Sequence, residues 1–194
     1  MENAVRSENT RKAVIKAALT IIARDGARRL TLDAIARECG ISKGGLMHQF
    51  HNKEAVLKAL LEHQISYFDA FSTQFRQETG ASPESNLTAQ IATMREATER
   101  PNSVAFALLA ILAEEPGLVT PIREINAQQI AEIKAEAADP DLALLRWVAA
   151  RGLLLGTLLG LDAFTPDEQA RLFDRLLDSS RWTAHARPAS PPAP

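Results

Sequence analysis

The chain is predicted to be all-α, with about nine helices, on three observations. Its composition is 46% hydrophobic but only 5% aromatic, with alanine and leucine dominant. β-Branched runs bounded by turn residues are nearly absent, so no segment reads as a strand. Apolar residues instead recur at intervals of three and four between cap-forming residues and glycines. A length of 194 residues suits one good-sized core, or a small domain joined to a larger one.

Each helix has a start and a stop in the sequence. From Asn9 to Arg24 the apolar positions are Val14, Ala17, Ala18, Ile21 and Ile22, and Asp25-Gly26 ends the run. Thr31 precedes a short second helix, "LDAIAREC", with Asp33 in its first turn and Gly40 just past its end. Ser42 caps a third, Lys43 to Gln49, and Asn52 caps a long fourth that runs to Thr79, before Gly80. That fourth helix would be about 40 Å long at 1.5 Å per residue, enough to link two domains. Ser82-Pro83 opens the fifth, and Asn102 caps a sixth that ends near Glu114. The seventh covers Thr120 to Ala138, "DPDL" at Asp139 starts the eighth, and "TPDE" at Thr165 has the spacing of a capping box for the ninth. The proline-rich tail 183–194 is expected to be disordered.

The charge is divided along the chain. Residues 1–58 carry eleven Lys/Arg against six Asp/Glu, a net of +5, while the remainder carries −7. Only the first part is therefore suited to meet a polyanion. The polar N-terminus is no secretory signal, and a single cysteine, Cys39, excludes an internal disulfide and suits a reducing compartment. The most apolar stretch, Gly152 to Leu161, is shorter than the roughly 20 residues of a membrane span. The chain is expected in the cytoplasm, away from the membrane. No glycine-rich phosphate loop or nucleophile elbow supports an enzyme. His48, His51 and Cys39 lack the further ligand that a tetrahedral metal site needs, so no metal and no cofactor is expected.

The segment Thr31 to Phe50 has the layout of a helix-turn-helix. Ala36 sits where the helices cross, Gly40 can take the positive φ of a tight turn, and Ile41 and Leu46 supply an apolar underside. The second helix of such a motif enters the major groove with its N-terminal residues toward the bases. Gly44 and Gly45 remove bulk where that helix lies nearest the DNA, and Lys43 is placed to meet a phosphate or a guanine edge.

"LTLDAIARECGISKGGLMHQFHNKEAVLKALL" resembles the DNA-binding region of the TetR (tetracycline-repressor-like) family of bacterial transcription regulators. Thr31, Ile35, Ala36, Gly40, Ile41, Ser42, Lys43, Gly44, Leu46, Phe50, Asn52, Lys53, Glu54 and Val56 carry the resemblance. It implies a helix-turn-helix domain over 1–52 and an effector-binding and dimerisation domain over 53–182. The implied DNA-binding residues are Thr31, Ser42, Lys43, Gly44, Gly45, Met47, His48 and Lys53, with Thr31 and Lys53 on phosphates. Met47 departs from the family, which usually has a tyrosine there whose hydroxyl contacts a phosphate; methionine cannot donate that bond. His48 is placed to replace it or to read a base. Met47 is also the one support for an alternative, a helical small-molecule-binding protein that has lost DNA binding.

The resemblance further implies an effector cavity enclosed by helices four to eight. Its expected lining is Phe68, Phe71, Phe75, Met94 and Phe106, with Gln64, Gln90 and Arg95 as polar anchors for an unknown small molecule. Such apolar residues at helical spacing also serve as plain core. Gly152, Gly156 and Gly160 recur every four residues, a bare face that another helix can approach. The family pairs its last two helices across a two-fold axis, so these glycines are expected at a homodimer interface. The partners expected are thus a palindromic double-stranded DNA operator, a second copy and the effector, with the chain acting as a repressor.

Overall fold

A computed structural model of the chain describes residues 2–26, 29–80, 82–99, 117 and 119–182. Among them are eight α-helices, one short 3-10 helix and no strand. The helix expected from Asn102, Phe106 and the tail 183–194 lie outside the described residues. The chain divides into two compact units, with the division between Tyr67 and Phe68.

The first unit is built on α1 (Glu2–Asp25), α2 (Leu32–Cys39) and α3 (Lys43–Gln49), which pack on one another. The start of α4 (Lys53–Thr79) completes it. Its interior is the apolar face read from the sequence: Val14, Ala18, Ile21 and Ile22 of α1 are buried with Ile35, Leu46, Val56 and Leu60. Each of the valines, leucines and isoleucines among them contributes roughly 1.5–3 kcal/mol by leaving water. α1 begins two turns before Asn9, because residues 2–8 hold no glycine or proline to stop it and need no apolar face to remain helical. At its other end Gly26, at φ 81°, closes the helix as expected.

The second unit contains α5 (Ser85–Glu99), α6 (Val119–Glu136), α7 (Pro140–Leu159) and α8 (Pro166–Leu177). Leu87, Ile91, Met94, Ile133, Ala143, Trp147, Phe173 and Leu176 form its core. Pro83 does not open α5. Ser82 and Ser85 bond to each other in a turn, and the helix starts at Ser85 with the Glu136 carboxylate accepting from the Asn86 backbone N–H at 2.9 Å. Asp139 caps α7 through the Leu142 N–H at 3.0 Å. Thr165 and Glu168 form both bonds of the predicted capping box. The N–H and hydroxyl of Thr165 hold the Glu168 carboxyl below its ordinary pKa.

α7 corrects one sequence expectation. The apolar run is longer than the stretch from Gly152: α7 is 20 residues long and apolar enough to cross a membrane by length and composition. Inside the helix, however, stands a charge buried to 1% exposure, Arg146. Its Nη1 bonds Glu84 at 2.6 Å, while Nη2 reaches the Leu176 carbonyl at 2.8 Å and Ser179 Oγ at 3.2 Å. The guanidinium also lies 5.5 Å from the Trp182 ring centroid. Leu176 is in the last turn of α8, whose terminal carbonyls have no partner within the helix and attract a cation. One side chain thus ties α5, α7 and the end of α8 together.

Removing one partner of such a buried pair is costly. Arg146→Met should lower the unfolding free energy by about 3–5 kcal/mol in urea titrations of the full chain. Glu84→Gln should cost less, since Glu84 is a quarter exposed and keeps a hydrogen-bonding amide. A loss for Arg146→Met below about 1 kcal/mol would remove the guanidinium as a structural tie.

Candidate nucleic-acid interface

The interface is assembled by three side-chain caps and one turn. The Thr31 hydroxyl oxygen accepts from Ala34 N–H at 3.1 Å and starts α2. Gly40 ends α2 in the left-handed region, φ 67°, where Gly40 N–H bonds the Arg37 carbonyl and Ile41 N–H the Ala36 carbonyl. This double closure satisfies the last carbonyls of the helix and needs a residue without Cβ strain. Ser42 Oγ accepts from Gly45 N–H at 3.1 Å and starts α3. Asn52 Oδ1 accepts from Ala55 N–H at 2.8 Å and starts α4, putting Lys53 at its first position. Only Gly40, Ile41 and Ser42 separate α2 from α3.

The seven residues of α3 are divided by burial. Leu46 is fully buried and Phe50, just after the helix, nearly so, with the Arg11 guanidinium 5.6 Å from its ring centroid. Lys43, Gly44, Gly45, Met47 and His48 are exposed, as are Thr31 and Ser42; Lys53 is half-buried. Gln49 turns to α1, where its Nε2 donates to Ser7 Oγ at 2.8 Å. Thr31 and Ser42 use an oxygen lone pair for their caps, which leaves each O–H to donate elsewhere. Lys43 Nζ meets the Asp33 carboxylate at 3.0 Å. Asp33 was noted in the sequence only as an acidic first-turn residue; its partner stands ten positions away, beyond reach of helical spacing rules.

The two glycines have different reasons. A Cβ on Gly44 would meet nothing within 4 Å, so nothing in the chain itself requires glycine there. A Cβ on Gly45 would stand 3.2 Å from Ser42 Oγ and press on the cap. Cys39 is a half-buried thiol that donates to the Ala13 carbonyl, and burial, with Glu38 beside it, raises its pKa.

The residues named for an effector divide between the two units. Gln64 belongs to the first unit, buried, with Nε2 lacking a hydrogen-bond partner among the described residues. Phe68, Phe71, Phe75, Gln90, Met94 and Arg95 belong to the second. Phe71 and Phe75 stack at 6.5 Å between centroids. Met94 is packed in the core, and Arg95 is engaged by Asp174 at 2.7 Å and Glu99 at 3.0 Å, so it acts as an α5–α8 tie. An open groove of about 580 Å³ runs along α8 past Phe164, Glu168, Arg171, Leu172 and Arg175, and none of these expected residues lines it.

The glycine stripe is corrected as well. Gly160 is not on a helix face: it follows Leu159 at φ 64°, and the N–H groups of Gly160 and Leu161 close α7. Gly156 is already covered, since a Cβ there would fall on the Asp162 carboxylate. Gly152 remains open. It lies within a row of exposed apolar residues, Leu145, Val148, Leu155 and Leu159, spaced by threes and fours along α7.

Sequence comparison assigns both parts of the chain. Residues 14–60 match the family model for bacterial regulatory proteins, tetR family, and residues 84–181 match the tetracyclin repressor-like, C-terminal domain. The HTH-type transcriptional regulator SrpR of Pseudomonas putida is 31% identical over 120 residues, 61% of this chain. That match spans about half of SrpR, 54% of its length. The uncharacterized HTH-type transcriptional regulator TtgW of Pseudomonas putida is 30% identical over 120 residues, 61% of this chain and 86% of TtgW. Among solved structures, a transcriptional regulator from Rhodococcus has a TM-score of 0.63 at 16% identity, covering 87% of this chain and 94% of that one. AibR, crystallised with isovaleryl coenzyme A and operator DNA, has a TM-score of 0.63 at 20% identity, covering 87% of this chain and 96% of that one. The chain, matched along both its short basic head and its longer helical body, belongs to the tetR family of bacterial regulatory proteins.

Proposed function

We propose that the chain is a dimeric, sequence-specific DNA-binding regulator of transcription in the cytoplasm, a repressor released from a palindromic operator by a small molecule. The observation that carries this reading is the division of α3, with Leu46 buried beneath an exposed row of Lys43, Gly44, Met47 and His48. A phosphate backbone or base edge can approach that row closely because Gly44 carries no side chain. The O–H groups of Thr31 and Ser42 and the ammonium of Lys53 meet phosphates, which position the motif, and Lys43 and His48 meet base edges, which specify the sequence. Met47 forfeits one phosphate bond, and His48 beside it supplies a donor.

The second copy docks on the exposed row of α7. Apolar residues at 145, 148, 155 and 159 follow the three-and-four spacing of a paired-helix seam, and Gly152 lets the partner helix approach. Pairing sets the distance between the two α3 helices, which a palindrome with half-sites one turn apart requires to be near 34–36 Å. The effector lies against Phe68, Phe71, Phe75 and Gln90. α4 runs unbroken from Lys53 to these phenylalanines, so a ligand that tilts it shifts the reading heads and lowers operator affinity by linkage. The neighbour AibR, seen with isovaleryl coenzyme A and operator DNA, is a precedent for both kinds of ligand on one such fold.

Lys53→Ala should weaken binding to all duplexes and reduce the slope of log K against log salt by about one unit. Lys43→Ala should in addition relax sequence preference. Electrophoretic or anisotropy titrations over a salt series would show both; unchanged affinity in both variants would defeat the assignment of these two lysines, and absence of salt-dependent duplex binding by the wild type would favour a protein that only binds the small molecule.

Gly152→Leu should leave the isolated chain folded, since nothing lies within 4 Å of the new Cβ. It should nevertheless weaken the dimer by about 1–3 kcal/mol by holding the partner helix away. Sedimentation over a concentration series measures this, and an unchanged dissociation constant would move the interface elsewhere. Gly156 is no substitute for this test, because a side chain there collides with Asp162 of the same chain.

A further inference from the structure

Lys43 and Asp33 meet across the helix-turn-helix. Nζ stands 3.0 Å from Oδ1 and 3.1 Å from Oδ2, with Asp33 in the first turn of α2 and Lys43 the first residue of α3. Both side chains are more than half exposed, 62% for Asp33 and 56% for Lys43. An exposed pair of this kind contributes little to stability, so the fold alone gives no strong reason for it. It does place a carboxylate within one hydrogen bond of the atom assigned to the DNA edge.

We propose that Asp33 and Lys43 read one base pair together, as a donor–acceptor couple that selects a keto base opposite Lys43 and an amino base opposite Asp33. This rests on the DNA-binding reading above. In the major groove every base pair presents a carbonyl, guanine O6 or thymine O4, next to an exocyclic amine, cytosine N4 or adenine N6. Those two groups are partners in one Watson–Crick hydrogen bond and so lie about 2.9 Å apart. The Nζ–Oδ separation has the same length. An ammonium has three N–H donors and a carboxylate about four acceptor sites, so their bond to each other leaves capacity on both. Nζ–H can then donate to the carbonyl while a carboxylate oxygen accepts from the amine.

The protein fixes which end is which. Inverting the base pair sets the ammonium against an amine and the carboxylate against a carbonyl, so the carboxylate is repelled in either case and the ammonium keeps at most N7 of adenine. Guanine adds N7 beside O6 as a second acceptor for Lys43. The preferred pair is therefore G·C with guanine at Lys43, followed by T·A, and C·G and A·T are rejected. A lone lysine would lack this rejection, since it also finds N7 of adenine.

The test uses the full chain and a random-sequence duplex library. Duplexes recovered by the wild type are re-made with each base pair changed in turn, and affinities are measured for the wild type, Asp33→Ala and Asp33→Asn. One position per half-site should accept G·C and T·A and lose roughly ten-fold or more on inversion. In both Asp33 variants the carboxylate's share of that penalty should be lost, so that T·A inversion falls to near parity and G·C inversion costs several-fold less, while the penalties at all other positions stand. Far-ultraviolet circular dichroism and thermal melts establish that the variants remain folded.

If removing Asp33 strengthens binding to every duplex alike and leaves the inversion penalty in place, the carboxylate is only a mask on Lys43 and the proposal is overturned. A uniform weakening with a lowered melting temperature makes it a structural residue and is equally fatal. Recovery of no duplex by the wild type would refute the DNA-binding reading itself, whereas recovery with an intact penalty in the variants refutes this inference alone.

Discussion

The helix-turn-helix depends on the left-handed turn at Gly40. The helices it joins have eight and seven residues, lengths at which an isolated helix is not stable in water. They persist because the turn directs Ile35 and Leu46 into one interior, both fully buried there with α1. The same turn decides what stays outside. With only three residues between the helices, the first turn of α2 and the first residue of α3 come side by side, and Asp33 reaches Lys43. A Cβ at φ 67° would strain this backbone by roughly 1–2 kcal/mol. The larger effect would be on direction, since the angle between α2 and α3 sets where every outward side chain of α3 points.

In the second unit α7 inverts the ordinary placement of residue types. It buries Arg146 and exposes Leu145, Val148, Leu155 and Leu159. The inward arginine is tolerated because four groups receive it: the carboxylate of Glu84 in the turn before α5, the Leu176 carbonyl, the Ser179 hydroxyl and the Trp182 ring. Single exposed leucines are unremarkable on a soluble surface, but a continuous row along one helix is not. The network on one side fixes the helix so that the apolar row on the other is presented as a unit. This is the property a partner helix requires, and it answers why an apolar 20-residue helix need not be read as a membrane span.

Features held by local hydrogen bonds were legible in the sequence. Thr31, Ser42, Asn52, Asp139 and Thr165 were identified as caps because each bonds a backbone N–H three residues on, within the same short segment. Gly40 was legible for the same reason. The glycine repeat at 152, 156 and 160 misled because a spacing of four cannot distinguish a helix interior from the residue just past its end. The loop that folds Asp162 over Gly156 has no periodic signature either. Arg146 stood in plain view in an apolar run, but its partners lie 62, 30 and 33 positions away, and only the fold brings them to it. Met94 and Arg95 were assigned to a cavity on type and spacing, which cannot separate a lining residue from a core residue or an interhelical tie. Pro83 misplaced the start of α5 because a serine pair outcompeted it for the turn.

Several atoms that face outward serve the fold and the proposed contact at once. Ser42 caps α3 with its oxygen and keeps its proton for a phosphate, and Thr31 does the same for α2. Removing either hydroxyl therefore costs about 1 kcal/mol of helix stability before any contact is lost, and a binding defect in such a variant cannot be divided between the two causes. Gly45 is tied to the same cap through the space its missing side chain leaves around Ser42 Oγ. Lys43 and Gly44 differ in kind. Neither is buried, neither caps a helix, and among the described residues Lys43 bonds only the exposed Asp33 carboxylate. A short helix with a glycine that its own packing does not demand sacrifices about 1 kcal/mol of propensity relative to alanine. A sequence is expected to break a local rule in this way where function constrains it, and here the break sits beside the lysine at the outward end of α3.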